Sequence, residues 1–331
     1  MKNKRFLFFA ILFILLILAP IVLNQYYNWL LGPASIIKSE QIFIIKPAQP
    51  VSQIAANLQK AGLVRNALAF RLLISQMGIA KNIQAGDFRL SPDMSSKGIA
   101  QLLTHGAIDV WVTIPEGLRI EEIASRVEEK LKFGANDKYQ FGKKEFIDLA
   151  QEGYMFPDTY LIPKDATAAD VVARLKKTFE EKVPNELLEA GSKNNLTHQE
   201  VILLASLVER EAKSGEERPV IAGILLNRLN SAHALQVDAT IQYAKGYDAA
   251  QNTWWPPVTL SDYQSVKSAY NTYLFPGLPP GPIASPGLEA IRAAAEPADT
   301  DYFYYLHDSE GRIHYAKTQE EHNENIRKFL L

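Results

Sequence analysis

The 331-residue chain contains no cysteine, and this absence excludes several kinds of chemistry at once. Without thiols there are no disulfide bonds, no zinc–thiolate sites and no cysteine nucleophile. The chain also lacks a charge excess, because 35 Lys and Arg residues are balanced by 37 Asp and Glu residues, for a formal net charge of −2. No whole-molecule field would therefore attract nucleic acid, and any recognition must come from a local site.

Several catalytic signatures are missing as well. The six histidines are scattered, and no His-x-x-x-His pair occurs that would indicate a metal site. There is no Gly-x-Ser-x-Gly elbow, and the one Ser-x-x-Lys motif, at residues 35–38, lacks the partner motifs of penicillin-binding enzymes. Peptidase chemistry is therefore disfavoured, and the sequence predicts neither a metal nor any other cofactor.

One long uncharged run stands at the N-terminus, where residues 6–23 follow three basic residues. As a helix this run would be roughly 27 Å long, close to the hydrocarbon core of a bilayer. The basic residues before it place the N-terminus in the cytoplasm and the rest of the chain outside. A cleaved signal peptide is the alternative, but it needs a shorter apolar core and a small-x-small cleavage site. The predicted order is a cytoplasmic tail (residues 1–5), a transmembrane anchor (residues 6–29) and a tether (residues 30–41).

A strand–turn–helix pattern recurs three times within residues 42–149. Each copy has a short β-rich run that ends at Pro47, Pro92 or Pro115, followed by apolar positions spaced three to four apart. Proline ends a strand because it has no N–H to donate to a neighbouring strand. The sequence therefore predicts a modular α/β region here, with a domain boundary near residue 150.

A strongly marked helix follows in the second half of the chain. Thr197 and Glu200 form a capping box, and residues 201–208 after it are nearly all apolar. Such a helix is buried on most of its circumference, and Glu209 stands at its end. A carboxyl group on a buried helix face is partly desolvated, which raises its pKa and suits a general acid for glycosidic bond cleavage. Glu209 is therefore the candidate catalytic residue.

Glu211 lies two positions further along the same helix. The two glutamates differ by roughly 200° around the helix axis, so both cannot point into one cleft. We therefore expect Glu211 to pair at the surface with Arg210 or Arg218. The simpler alternative is that both glutamates form the solvated end of a helix.

Polar and aromatic residues set among apolar ones form a candidate sugar-binding surface in the last third of the chain. Aromatic rings stack on pyranose rings, fixed amides bond hydroxyl and N-acetyl groups, and a Pro/Gly-rich loop at 277–282 would hold them rigid. An ordinary structural turn is the alternative reading of that loop. A β-hairpin is predicted over residues 302–316. The candidate substrate-binding residues are Asn227, Gln236, Asp238, Tyr270, Asn271, Thr272 and Tyr273.

Five motifs occur in a fixed order: LVERE at 207–211, NRL at 227–229, LQVD at 235–238, YNTY at 270–273 and GLPPG at 277–281. Together they resemble the YceG-like family, the endolytic murein transglycosylases called MltG. Two positions depart from the family pattern, because Ala239 stands where proline is expected and Arg210 where lysine is also common.

The resemblance implies an α+β protein with a single N-terminal transmembrane helix and a LysM-like α/β module within residues 42–149. Residues 150–331 would then form a mainly helical, lysozyme-like catalytic domain with a small β element. The resemblance also implies that Glu209 matches the family's catalytic glutamate and that Tyr270 and its neighbours line the glycan cleft.

The expected reaction is cleavage of the β-1,4 bond from N-acetylmuramic acid to N-acetylglucosamine, leaving 1,6-anhydro ends. One residue would act as both acid and base, whereas ordinary glycosidases use two carboxylates. Hydrolysis becomes a live alternative if Asp238 faces the acid. A membrane-anchored scaffold that binds the cell wall without catalysis is the other alternative. The expected partners are peptidoglycan glycan strands, the cytoplasmic membrane and cell-wall synthases, with no nucleic acid.

Overall fold

The computed structural model describes residues 18–105, 109–132 and 141–331. The chain divides into two compact units, one comprising Met1–Val112 with Tyr160–Lys164 and the other Thr113–Thr159 with Asp165–Leu331. The predicted functional boundary near residue 150 stays a prediction.

A four-stranded sheet forms the framework of the first unit. Its strands follow the order β1-β2-β3-β4, and β1 pairs antiparallel with β2, as β2 does with β3. Phe43 and Ile45 on β1 are buried, whereas the alternate residues Ile42 and Ile44 are exposed, so one face of the strand covers the core. The strands are β1 (Gln41–Ile45), β2 (Gly86–Leu90), β3 (Asp109–Thr113) and β4 (Thr159–Pro163).

Helices follow the strands as the repeated pattern predicts. Each of the first three strands is succeeded by a helix that carries the apolar positions of its repeat, and the three strand–helix units are confirmed. The sequence reading missed α2, which is capped by the Asn66 side chain and ends at Gly78 with a left-handed backbone conformation (φ 69°). The helices are α1 (Val51–Lys60), α2 (Ala67–Met77), α3 (Ser96–His105) and α4 (Ile120–Leu131).

The predicted N-terminal transmembrane helix is not supported, and the expected fold class is corrected to a mixed α/β fold with antiparallel sheets. Within the described ranges, no helix has both the length and the apolar character needed to cross a membrane. Residues 18–30 are helical, which corresponds to roughly 20 Å at 1.5 Å per residue, against about 30 Å for the hydrocarbon core. The rest of the predicted span, residues 6–17, lies outside the described residues.

The second unit consists mainly of helices with one two-stranded antiparallel sheet, which confirms the predicted hairpin. Residues 168–190 form two helices, because Pro184 cannot continue the first and stands at the start of the second. The elements after α4 are α5 (Lys143–Leu149), α6 (Ala168–Lys182), α7 (Asn185–Ala190), α8 (His198–Glu211), α9 (Glu217–Asn230), α10 (Asp238–Lys245), α11 (Asp262–Ser265), α12 (Leu288–Ala295), β5 (Tyr304–His307), β6 (Ile313–Ala316) and α13 (Gln319–Phe329).

Helix α8 lies at the centre of this unit, packed against α9 and α12. The predicted capping box of Thr197 and Glu200 is present, and every residue from Val201 to Val208 is buried. A helix buried around its whole circumference needs close neighbours on all sides. Gly223 on α9 permits a close approach of the backbone at residue 298, because the Ala298 carbonyl lies where a side chain at residue 223 would begin.

We predict that Gly223→Ala destabilises the protein by roughly 1–3 kcal/mol, since the added methyl group would overlap a backbone oxygen that cannot easily move. Thermal unfolding of the full chain measures this change. Gly215→Ala is the matched control, because an added methyl group there would lie 3.8 Å from the flexible Arg218 side chain, which can move. Equal melting temperatures for the two variants would contradict the prediction.

Candidate active site

The two glutamates at the end of α8 point into different surroundings, as their spacing around the helix predicts. Glu209 contacts α9 and the loop before α12, whereas Glu211 contacts strand β5. Each glutamate can therefore be judged by its own neighbours.

Both carboxylate oxygens of Glu209 accept hydrogen bonds from the protein. The Arg218 guanidinium donates to Oε1 at 3.0 Å, and the backbone N–H of Gly287 donates to Oε2 at 3.0 Å. The side chain is only 6% exposed. Glu209 is therefore a buried, ion-paired carboxylate whose hydrogen-bonding positions are taken by two other segments of the chain.

A third segment closes around the same pair. Glu116 contacts Arg218 at 3.4 Å and lies so close to Gly287 that a side chain there would overlap it. Burial raises the pKa of Glu116, and the nearby Glu209 charge raises it further. Two backbone hydrogen bonds hold the loop, because the Gly117 N–H donates to the Ser285 carbonyl at 2.9 Å and the Ser285 N–H donates to the Leu118 carbonyl at 2.8 Å. Through these contacts Glu209 joins the end of α8 to α9 and to the loop before α12. We call this arrangement the structural clasp.

Glu211 instead lines a cavity of about 410 Å³. The Tyr305 hydroxyl donates a hydrogen bond to its Oε2 at 2.8 Å. Glu211 keeps some accessible surface because it faces the cavity, yet protein surrounds its carboxyl group. Burial raises the pKa of Glu211 and the Asp238 charge adds to this rise, while the hydrogen bonds from Tyr305 and from the backbone of Ala239 oppose it. The result is a carboxyl group that holds its proton more strongly than an ordinary glutamate.

The expected surface pairing of Glu211 with Arg210 or Arg218 is wrong. Arg218 pairs with Glu209, and the Arg210 guanidinium lies 3.7 Å above the Trp255 ring. The physical reason is that the core of the unit extends past the end of α8, so that neither glutamate reaches a freely solvated surface.

A second carboxylate lines the cavity with Glu211. Asp238, the first residue of α10, is exposed to solvent, and its Oδ1 accepts a hydrogen bond of 2.7 Å from the Tyr273 hydroxyl. Tyr273 in turn stacks on Tyr263 with ring centroids 4.2 Å apart. The aspartate is thereby fixed in position at the cavity wall.

A buried cation completes the polar lining. Arg228 donates to the Leu235 carbonyl at 3.0 Å and to Gln236 Oε1 at 2.6 Å. Gln236 adopts a left-handed backbone conformation (φ 55°), and its backbone N–H donates to the Thr272 carbonyl. The cavity thus combines two carboxyl groups, one guanidinium, two amides, two imidazoles and the tyrosine hydroxyls.

The predicted substrate-binding residues divide between the cavity surface and the layers behind it. Gln236, Asp238 and Tyr273 line the cavity with Glu211. The other four have structural contacts. The Asn227 amide donates to the backbone carbonyls of residues 300 and 302. The buried Asn271 amide donates to the backbone carbonyls of residues 263 and 266. Thr272 is fully buried, and Tyr270 packs against Tyr243 with ring centroids 4.8 Å apart.

Sequence reasoning missed most of the cavity lining, including Glu211, Arg228 and Tyr305. Glu211 could have been found from the nearly continuous apolar run before it, because a helix buried on every side makes both of its last glutamates unusual. Tyr305 carried no local signal, since only the folded hairpin brings strand β5 to the end of α8.

Comparison with known proteins shows the family of this chain. A family model described as the YceG-like family matches residues 43–328. The chain belongs to the YceG-like family.

Relatives with curated names share this assignment. A protein from Bacillus subtilis named endolytic murein transglycosylase is 32% identical over 86% of this chain and 84% of its own length. A protein of the same name from Streptococcus pneumoniae is 29% identical over 83% of this chain, which spans 56% of that longer protein. The crystal structure of a YceG-like protein from Listeria monocytogenes is similar with a TM-score of 0.58 at 25% identity, covering 86% of this chain and 98% of that one.

Four of the five YceG-like motifs contribute residues to the cavity lining, and the motif at 227–229 supplies Arg228. The motif at 207–211 supplies Glu211, the motif at 235–238 supplies Gln236 and Asp238, and the motif at 270–273 supplies Tyr273. Thr272 in the last motif ties two of these segments together, because its hydroxyl accepts a hydrogen bond from the Val237 backbone N–H at 3.0 Å.

A further buried carboxyl group lies elsewhere in the YceG-like chain and was not anticipated. Glu152 Oε2 accepts hydrogen bonds from the Ile120 backbone N–H and the Tyr243 hydroxyl, while its Oε1 is buried without a partner. Burial raises the pKa of Glu152 from 4.5 to about 8, and the charge of Glu121 contributes to the rise.

We predict that Thr272→Val destabilises the protein by roughly 1–3 kcal/mol, because the isosteric change leaves the buried Val237 N–H without an acceptor. Urea unfolding monitored by circular dichroism measures the difference. Thr178→Val on the outer face of α6 is the matched control and should change stability by much less. A harmless Thr272→Val together with lost glycan binding would instead indicate direct contact with substrate.

We also predict that Glu152→Gln removes part of the pH dependence of stability. Below pH 4.5 the carboxyl group is protonated in both states, so its contribution to stability is fully present. Between pH 4.5 and about 8 the unfolded state ionises while the folded state keeps the proton, so stability falls across this window. Unfolding free energies across this range should therefore fall less steeply for the variant.

The exposed Glu181→Gln on α6 serves as the control for this comparison. It should leave the profile unchanged. Parallel profiles for wild type and Glu152→Gln would refute the assignment.

Proposed function

We infer that this protein is a lytic murein transglycosylase that cleaves the glycan strands of peptidoglycan. Membership of the YceG-like family and the names of its relatives support this function. The observation that carries the mechanism is the buried carboxyl group of Glu211 with a raised pKa, facing a polar cavity of about 410 Å³.

Glu211 is the proposed acid/base. In its protonated form it donates a proton to the glycosidic oxygen of the β-1,4 bond from N-acetylmuramic acid to N-acetylglucosamine, and that bond breaks. The resulting carboxylate then takes the proton of the muramyl C6 hydroxyl, whose oxygen bonds to C1 and forms the 1,6-anhydro ring. No water is consumed, and Glu211 regains its proton. One positioned acid/base of this kind contributes typically ~10²–10⁴-fold to the rate.

Tyr305 supports this role as a positioning residue. Its hydroxyl donates to Glu211 Oε2 at 2.8 Å, which holds the carboxyl group in one orientation at the cavity. Burial raises the pKa of Tyr305, which keeps the hydroxyl protonated as a donor while Glu211 changes its charge.

Glu209 remains the prediction from sequence, but its contacts favour it less. Its two oxygens already accept hydrogen bonds from Arg218 and Gly287, and its side chain is nearly enclosed. An acid that donates to a sugar needs an oxygen that substrate can reach. The structural clasp explains Glu209 without assigning it any chemistry.

Hydrolysis is a second candidate because Asp238 lines the same cavity as Glu211. If Asp238 activated a water molecule, the products would carry reducing ends instead of anhydro ends. The names of the relatives favour transglycosylation, so we retain hydrolysis as the alternative to be separated by product analysis.

The finer aspects of the function are also proposals. The endolytic naming of the relatives supports cleavage within strands, and we propose that these strands are nascent. The segment from β1 to β2 supports a LysM-like module that holds glycan, since two helices connect an antiparallel strand pair there. The protein would act outside the cytoplasm because its substrate lies there, and synthases of the cell wall are proposed partners on the same ground.

We predict that Glu211→Gln folds normally and loses at least about 10²-fold in rate, because the amide keeps the shape but cannot donate and retake a proton. Glu209→Gln should keep cleavage activity and lose roughly 1–3 kcal/mol of stability, because it disrupts the ion pair with Arg218. Mass analysis of fragments released from purified cell wall, with thermal unfolding of each variant, measures both effects.

Glu310→Gln is the matched control, since that side chain is exposed on the hairpin turn. Loss of activity in Glu209→Gln at unchanged stability, with an active Glu211→Gln, would return the catalytic role to Glu209. Fragments with anhydro ends, one water lighter than reducing ends, distinguish transglycosylation from hydrolysis. Glycan binding by wild type without any products would favour the non-catalytic scaffold.

A further inference from the structure

A second groove lies in the same compact unit as the catalytic cavity. It has a volume of about 700 Å³ and runs between helix α4 and the loop after α10. This volume falls within the range of about 300–1,000 Å³ that is typical of ligand sites. The proposed reaction does not use any of the residues that line this groove.

Two aromatic rings form one wall of the groove. Tyr247 and Trp254 lie with ring centroids 5.1 Å apart, and Tyr247 is 46% exposed. We call this pair the aromatic platform. Large aromatic side chains that remain exposed on a protein surface often mark a binding site.

The loop that carries the aromatic platform is rigidly built. Asp248 and Thr253 exchange two backbone hydrogen bonds at 2.8 and 3.2 Å. The Asp248 side chain also caps the turn between them, and the Tyr247 hydroxyl donates to the side-chain oxygen of Asn252. The platform is therefore preorganised, which reduces the entropy lost on binding.

A buried arginine supports the platform from within the protein. The Arg119 guanidinium lies 4.7 Å from the Trp254 ring centroid and 4.1 Å from that of Tyr243, and Arg119 is only 5% exposed. Its Nη1 donates to the Tyr243 carbonyl, and its Nε bonds Glu121. One face of Trp254 thus has a fixed cation against it, and the indole ring is held in place for a ligand on its other side.

The opposite wall of the groove is polar and carries both signs of charge. It is formed by residues of α4, among them Ser125, Arg126, Glu129 and Lys130. A wall of mixed charge does not select a polyanion. The hydroxyl and amide groups of a ligand can form hydrogen bonds with all of these side chains. A sugar ring fits such a groove, since its flat C–H face packs on an aromatic ring and its edge carries hydroxyl groups.

The platform is also joined to the end of the catalytic helix. Trp255, the next residue after the platform, packs under the Arg210 guanidinium at 3.7 Å and donates from its Nε1 to Glu122 at 2.9 Å. Arg210 lies between the two glutamates of α8. A ligand on the platform would therefore be held by the same rigid body that carries Glu211.

We propose that the groove between the aromatic platform and α4 is an auxiliary carbohydrate subsite that binds hexosamine units of the glycan strand beyond those in the catalytic cavity. This inference rests on the proposed function, because it takes the same strand as ligand. The subsite retains long strands and contributes nothing to the binding of a single disaccharide unit.

Trp254→Ala in the full-length chain tests the proposal, with Glu211→Gln present so that strands are not consumed. We expect the affinity for long, peptide-free glycan strands to fall about tenfold, equivalent to about 1.4 kcal/mol, and the affinity for one disaccharide unit to stay unchanged. Trp254→Phe should restore most of the lost affinity. Leu260→Ala, an exposed apolar residue that does not line the groove, is the matched control.

An unchanged affinity of Trp254→Ala for long strands would overturn the subsite, as would an equal loss for the disaccharide unit. Binding of free stem peptides in place of sugar would overturn it as well. Thermal unfolding of both Trp254 variants shows whether the fold is intact. If the alanine variant unfolds, the affinity of the phenylalanine variant for long strands is the deciding measurement. Cleavage of the same strands by the enzyme with Glu211 intact is followed in parallel, so a failure of the proposed function appears separately as absent products.

Discussion

The structure of the second unit depends on the complete burial of helix α8. Every residue from Val201 to Val208 is enclosed by α9, α12 and their connecting loops. A helix surrounded in this way cannot end in solvent, so the two glutamates of its last turn must both be accommodated within protein. Burial of carboxyl groups is unfavourable unless each finds a partner or keeps its proton, and the two glutamates illustrate one solution each.

Glu209 meets this requirement as an ion with a permanent cation and a backbone N–H, and it thereby ties α9 and the loop before α12 to the end of α8. Glu211 meets it through a raised pKa, with hydrogen bonds from Tyr305 and the Ala239 backbone, at the wall of a cavity. The first arrangement favours rigidity and the second favours proton transfer. Neighbouring residues in one sequence motif thus have opposite electrostatic roles because they face opposite sides of one helix.

The sequence predicted local secondary structure well, and it predicted contacts between distant parts of the chain poorly. The capping box, the hairpin and the strand–helix repeats depend on local patterns of polarity, and each appears in the structure. The role of Glu211 depends on contacts with Tyr305, which lies far away in the chain, and no local pattern encodes such a contact. Asn271 stays a predicted substrate contact, but its amide donates to two backbone carbonyls, because a motif identifies a group of residues without saying which of them face inward.

The hairpin of β5 and β6 supplies the tyrosine that contacts Glu211. The two residues lie 94 positions apart in the chain, so Tyr305 reaches the carboxyl group only where strand β5 is docked against the end of α8. A substitution that undocks the hairpin would therefore impair the proposed acid/base from a distance while leaving Glu211 itself unaltered.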